Sequence, residues 1–96
     1  MKTIFITGAS SGLGSASVKV FADNGWRVIA TMRNPSAGDA LAQLPNVQVM
    51  QLDVNNLQQL QTVVKEVAAN YPVDVVLNFS LLLLMPVPHV FVHVLS

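Results

Sequence analysis

ITGASSGLGS, residues 6–15, is the stretch that decides how this chain folds. The apolar run Ile4-Phe5-Ile6 enters a turn with glycines at 8, 12 and 14, and helix-compatible sequence follows at once. A turn from a strand into a helix leaves several backbone N–H groups without intrahelical partners. Together with the helix dipole they form an anion site. Glycine lets the chain turn tightly and lets a pyrophosphate approach where a β-carbon would collide. Ser10 and Ser11 add hydroxyl donors. The plainer alternative is a helix-packing turn that holds no ligand.

Working outward, the short apolar run before the turn suits a buried parallel strand. Leu13, Ala16, Val20 and Phe21 recur at helical spacing, and Asn24-Gly25 supplies a left-handed stop. Residues 27–32 read as a second strand, broken by Asn34-Pro35. Residues 36–44 hold a short, weak helix with Gly38 inside it. Residues 47–52 alternate like a third strand. Asn55 or Asn56 caps a further helix whose stripe is Leu57, Leu60, Val64, Val67 and Ala68. Tyr71-Pro72 ends that helix, and residues 73–77 make a fourth strand. The pattern β-α-β-α-β-α-β predicts an α/β fold, a parallel sheet with helices on both faces.

Composition narrows the function classes. The chain is 52% hydrophobic and 10% charged, against about a quarter charged in ordinary soluble domains. Five basic and five acidic side chains cancel, so no basic stripe points to nucleic acid. Without cysteine there are no disulfides, zinc–thiolate sites or thiol catalysis. The three apolar residues before the first polar turn fall far short of a signal-peptide core, so a cytoplasmic location is expected.

The spacing Thr7-Gly8-x-x-x-Gly12-x-Gly14 differs from the G-x-G-x-x-G of ordinary dinucleotide-binding dehydrogenases. It resembles the T-G-x-x-x-G-x-G turn of the classical short-chain dehydrogenase/reductase family, and the resemblance covers about residues 1–78. It implies a Rossmann-like sheet in strand order 3-2-1-4 and a dinucleotide cofactor at Gly8, Ser10, Ser11, Gly12, Leu13 and Gly14. At the end of the second strand, where such folds choose between NAD and NADP, no Asp or Glu occurs from residue 28 to 36. Arg33 lies 19 residues after Gly14. A guanidinium can meet a 2'-phosphate with paired hydrogen bonds, so NADP is expected ahead of NAD. A solvated loop charge is the alternative for Arg33. Leu52-Asp53-Val54 resembles the family's L-D-V, which implies that Asp53 accepts from the adenine amino group. Helping to start the next helix is the alternative role for Asp53.

The likeness breaks at the fourth strand. Where the family has N-N-A-G, this chain reads Leu77-Asn78-Phe79-Ser80. Asn78 remains, to bridge strands or touch the ribose. Phe79 and Ser80 replace small residues, and a benzyl group there would intrude where backbone should meet cofactor. The family's chemistry belongs to a serine and to a tyrosine followed four positions on by a lysine. Here the one tyrosine is Tyr71, the residue four positions on is Val75, and lysines occur at 2, 19 and 65. No residue matches a catalytic role. Complete members transfer hydride between NADP(H) and an alcohol or carbonyl compound. This chain is expected to bind the adenosine-diphosphate end and to catalyse nothing. The alternative is a non-enzymatic, truncated or frame-shifted product acting through its sheet edge and apolar tail.

Residues 1–80 thus read as a dinucleotide-binding half-domain and residues 81–96 as an atypical tail. Residues 87–95 alternate, with His89, Phe91, His93 and Leu95 on one face. That predicts a strand at the sheet edge beside the fourth, and an uncovered apolar edge invites self-association. His89 and His93 would make a metal pair only on a helix, about 6 Å apart along its axis rather than about 13 Å on a strand. Pro86, Pro88 and the valines favour the strand, so no metal is expected. The 16 uncharged residues from 81 onward contain two prolines and two histidines. They fall short of the roughly 20 that a spanning helix needs, so a membrane partner is not expected.

Overall fold

The computed structural model describes residues 1–79 and, as backbone, residues 91–94. The expectations for Ser80, His89 and Leu95, and for the side chains of Phe91 and His93, lie outside the described residues.

Among the described residues five strands form one sheet in the order β3-β2-β1-β4-β5. They are β1 (Thr3–Thr7), β2 (Arg27–Met32), β3 (Val47–Gln51), β4 (Val75–Asn78) and β5 (Phe91–Val94). The first four run parallel, with Phe5 beside Ile29 on one side and beside Val76 on the other. β5 runs antiparallel to β4, with Phe91 opposite Asn78. A parallel connection needs a crossover of a dozen or more residues, usually helical. Between β1 and β2 this is α1 (Gly12–Asp23), and between β3 and β4 it is α3 (Leu57–Asn70). Between β2 and β3 lie a 3-10 turn, Pro35–Gly38, and the short helix α2 (Asp39–Ala42). The weak pattern of residues 36–44 therefore divides between two short elements.

Strand alternation sorts the core into two layers. Ile4, Ile6, Val28, Ala30 and Leu77 face Val18 of α1 and Leu41 of α2. Phe5 and Ile29 face the opposite way, against Leu52 and against Val63 and Val67 of α3. All five residues of β1 are buried, as expected of a central strand covered on both faces.

Both long helices are rotated relative to their apolar stripes. In α1 the buried residues are Gly14 and Val18, with Phe21 and Ala22 packed beside them. Leu13 and Val20 are exposed. The close seating of Gly14 on the preceding turn turns this face inward. In α3 the buried residues are Val63 and Val67, whereas Leu57 and Val64 are exposed. Leu60, Val64 and Ala68 instead line an apolar groove of about 360 Å³ between α3 and β4, which Phe5 and Val76 also line.

Helix ends follow local chemistry. The α1 stop is a Schellman arrangement: Gly25 has φ +82°, its N–H donates to the Ala22 carbonyl, and Trp26 N–H donates to the Phe21 carbonyl. The Phe21 and Trp26 rings meet edge to face at 5.1 Å, completing the apolar contact of that motif. Asn56, not Asn55, caps α3, its Oδ1 accepting from Gln59 N–H. Among the described residues no helix is long and apolar enough to cross a membrane.

Candidate functional site

The turn between β1 and α1 is held by its own backbone. Gly8 has φ +66°, in the left-handed region, which costs an L-residue roughly 1–2 kcal/mol. Ala9 is buried, and its N–H donates to the Thr31 carbonyl at 3.1 Å, tying the turn to β2. Ser11 is the N-cap. Its Oγ accepts from Gly14 N–H at 3.0 Å and donates to the Gly8 carbonyl at 2.9 Å. A β-carbon on Gly14 would lie 2.2 Å from the Gly8 oxygen and 2.9 Å from Ala9 Cα. Gly14 is therefore required by the packing of α1 on its own turn.

Gly12 is different. It is exposed, its backbone is not in the left-handed region, and a β-carbon there would meet no atom within 4 Å. Nothing among the described residues calls for glycine at this position. It stands with Leu13, which is also exposed, in the first turn of a helix, where N–H groups have no intrahelical partner. Space above Gly12 gives an outside group an unobstructed approach to that end of α1.

A cleft of about 260 Å³ opens beside the turn, at the C-terminal ends of β1, β2 and β3. Gly8, Ser10, Arg33 and Val54 line it, four of the residues singled out by sequence, together with Met32, Asn34 and Leu52. Arg33 Nε lies 3.8 Å from Asp53 Oδ1, with the side chains 71% and 45% exposed. Parallel pairing of Met32 with Gln51 brings these two charges to the same level of the sheet. Asp53 also builds the approach to α3: Oδ1 accepts from Asn55 N–H at 3.0 Å, and its carbonyl accepts from Asn56 N–H at 2.9 Å. Its own N–H donates to Gln59 Oε1 at 2.6 Å. Gln59 escaped the sequence reading, although Asn56-x-x-Gln59 has the spacing of a capping box.

Asn78 stands apart from this cleft. It is buried at the end of β4, accepts from the Thr7 hydroxyl, and lines the α3–β4 groove with Thr7 and Val54. Phe79 N–H donates to the Thr7 carbonyl at 3.1 Å, and its side chain packs against the core layer of α1. Tyr71 is at the other end of the sheet, where its ring lies 3.9 Å from the guanidinium of Arg27, the first residue of β2. Among the described residues no group of three or more metal-ligating side chains occurs. Helix N-terminal amides, the Ser10 hydroxyl and a guanidinium suit a phosphate-bearing ligand, whereas the Ser11 hydroxyl, expected as a further donor, gives its proton to the Gly8 carbonyl.

A family model described as short chain dehydrogenase matches residues 2–80. The short-chain dehydrogenase cctT of Talaromyces islandicus is 33% identical over 69 residues, which is 71% of this chain and 24% of that protein. Sulfoacetaldehyde reductase 2 of Chromohalobacter salexigens is 34% identical over 90 residues, covering 88% of this chain and 36% of its own length. The crystal structure of a short-chain dehydrogenase from Streptomyces avermitilis superposes with a TM-score of 0.75 at 34% identity, over 79% of this chain and 30% of that one. The chain thus spans between 24% and 36% of the length of these relatives. Because the family match extends across all four parallel strands and the glycine turn between the first of them and α1, this chain belongs to the short-chain dehydrogenase family.

Proposed function

We propose that these 96 residues bind the adenosine-diphosphate end of NADP(H) and do not themselves carry out hydride transfer. The observation that carries the reading is Gly12, a glycine that neither the backbone nor the packing of this chain demands, at the open start of α1. Gly8, Ser10, Ser11, Gly12, Leu13 and Gly14 form the pyrophosphate cradle. Arg33 takes the 2'-phosphate, Asp53 and Val54 border the adenine, and Asn78 marks the ribose side. When bound, the nicotinamide supplies a hydride donor or acceptor. Transfer also needs a proton donor close to the substrate, and Tyr71 stands at the wrong end of the sheet for that task.

Thermal unfolding of the purified chain with saturating NADPH, and separately NADH, tests this. A ligand at 100 times its dissociation constant stabilises the native state by about 2.7 kcal/mol. In a domain of this size that raises Tm by about 10–20 °C. The expected result is a shift with NADPH larger than that with NADH. A cooperative transition that neither nucleotide moves refutes the binding reading. Carbonyl reduction by the pure chain refutes the absence of catalysis.

A further inference from the structure

Arg33 and Asp53 are not equal partners. Asp53 is fixed from several sides, by Asn55 N–H on its carboxylate, Asn56 N–H on its carbonyl and Gln59 Oε1 on its amide. The Arg33 side chain is 71% exposed. Their 3.8 Å separation is too long for a hydrogen bond, so the carboxylate neutralises the guanidinium without orienting it. We infer that Asp53 is a resident counter-anion of Arg33, which the 2'-phosphate of NADP(H) must displace, so that this carboxylate restrains the preference for NADP(H) over NAD(H). The inference rests on the NADP(H) reading above. A phosphate carrying nearly two negative charges draws Arg33 away and leaves the Asp53 charge close by. NAD(H), with a neutral hydroxyl at the 2'-position, meets neither cost. Exposed ion pairs are weak, so the restraint is a matter of a few-fold in affinity rather than of orders of magnitude.

The test is Asp53→Asn in the full 96-residue chain, with dissociation constants for NADPH and NADH measured by calorimetric titration at low salt. Asparagine keeps an Oδ1 acceptor for Asn55 N–H and removes only the charge. The ratio of the NADH constant to the NADPH constant is expected to rise about two- to five-fold. The rise should fade at 1 M salt, where the Debye length is about 3 Å. In an Arg33→Met background the same change should move the ratio less, because no pair remains to be broken.

Equal weakening of both nucleotides would make Asp53 an adenine contact alone and overturn the inference. A fall in the ratio would make it a positioning residue for Arg33, also overturning it. An equal rise with and without Arg33 would show simple repulsion of the phosphate, and the competition would be refuted. If the unaltered chain binds both nucleotides while the ratio fails to rise, only this inference falls. If it binds neither, the binding reading falls as well.

Discussion

Gly14→Ala would place a methyl group 2.2 Å from the Gly8 carbonyl oxygen, 2.9 Å from Ala9 Cα and 2.9 Å from Ser11 Oγ. Two of those atoms are backbone, so no side-chain rotation relieves the clash, and the first turn of α1 must move away. Overpacking of this kind costs about 1–3 kcal/mol. Displacing the Ser11 cap, whose Oγ is 3.0 Å from Gly14 N, adds about 1 kcal/mol. The better helix propensity of alanine returns about 0.5–1 kcal/mol. The net loss is about 1–3 kcal/mol, or a Tm lower by about 5–20 °C in a domain of this size. Gly12→Ala has the propensity gain and no clash, since nothing lies within 4 Å of the new methyl. It should raise stability by about 0.5–1 kcal/mol. Urea unfolding followed by far-UV circular dichroism, without nucleotide, reads both. Gly14→Ala as stable as the parent, or Gly12→Ala clearly less stable, would refute the assignment of one glycine to packing and the other to ligand approach. With NADPH present, Gly12→Ala should stay folded and lose the nucleotide-induced rise in Tm.

The rotation of α1 makes Val18→Ala costly, by about 2 kcal/mol for a fully buried valine. Leu13→Ser, at an exposed position, should stay within about 0.5 kcal/mol of the parent. Urea midpoints in the reverse order would show that the helix presents its other face. Asn56→Ala removes the cap of α3 and should cost about 1 kcal/mol in the same assay. Ile29→Ala, in the fully buried centre of β2 beneath α3, should cost about 2–5 kcal/mol and lower Tm accordingly.

The elements and their order along the chain were legible in the sequence because each rests on local signals, whereas the sheet order 3-2-1-4 came with the family resemblance. Short apolar or alternating runs, the Asn24-Gly25 stop and the asparagines before Leu57 act over a few residues of chain. The glycine turn was legible for the same reason, since its φ and its cap are made within residues 8–14. Helical spacing was less informative. Leu13, Ala16 and Val20 repeat as regularly as Gly14, Val18 and Phe21, and a period cannot say which of two stripes faces the sheet. That choice was made by the contact of Gly14 with Gly8 and by the sheet beneath Val18. In α3 the predicted stripe is split because Phe5 of β1 and Ile29 of β2 pack against Val63 and Val67, while Leu60, Val64 and Ala68 line the groove between α3 and β4. The pairing of Arg33 with Asp53 was equally beyond local reading. Twenty residues separate them in the chain, and it is the parallel register of β2 and β3 that sets their charges 3.8 Å apart. The sequence by itself determined the elements, their order along the chain and the glycine-built form of the first turn. The tertiary structure decided which faces are buried and which charges meet, because both depend on contacts between segments distant in the chain.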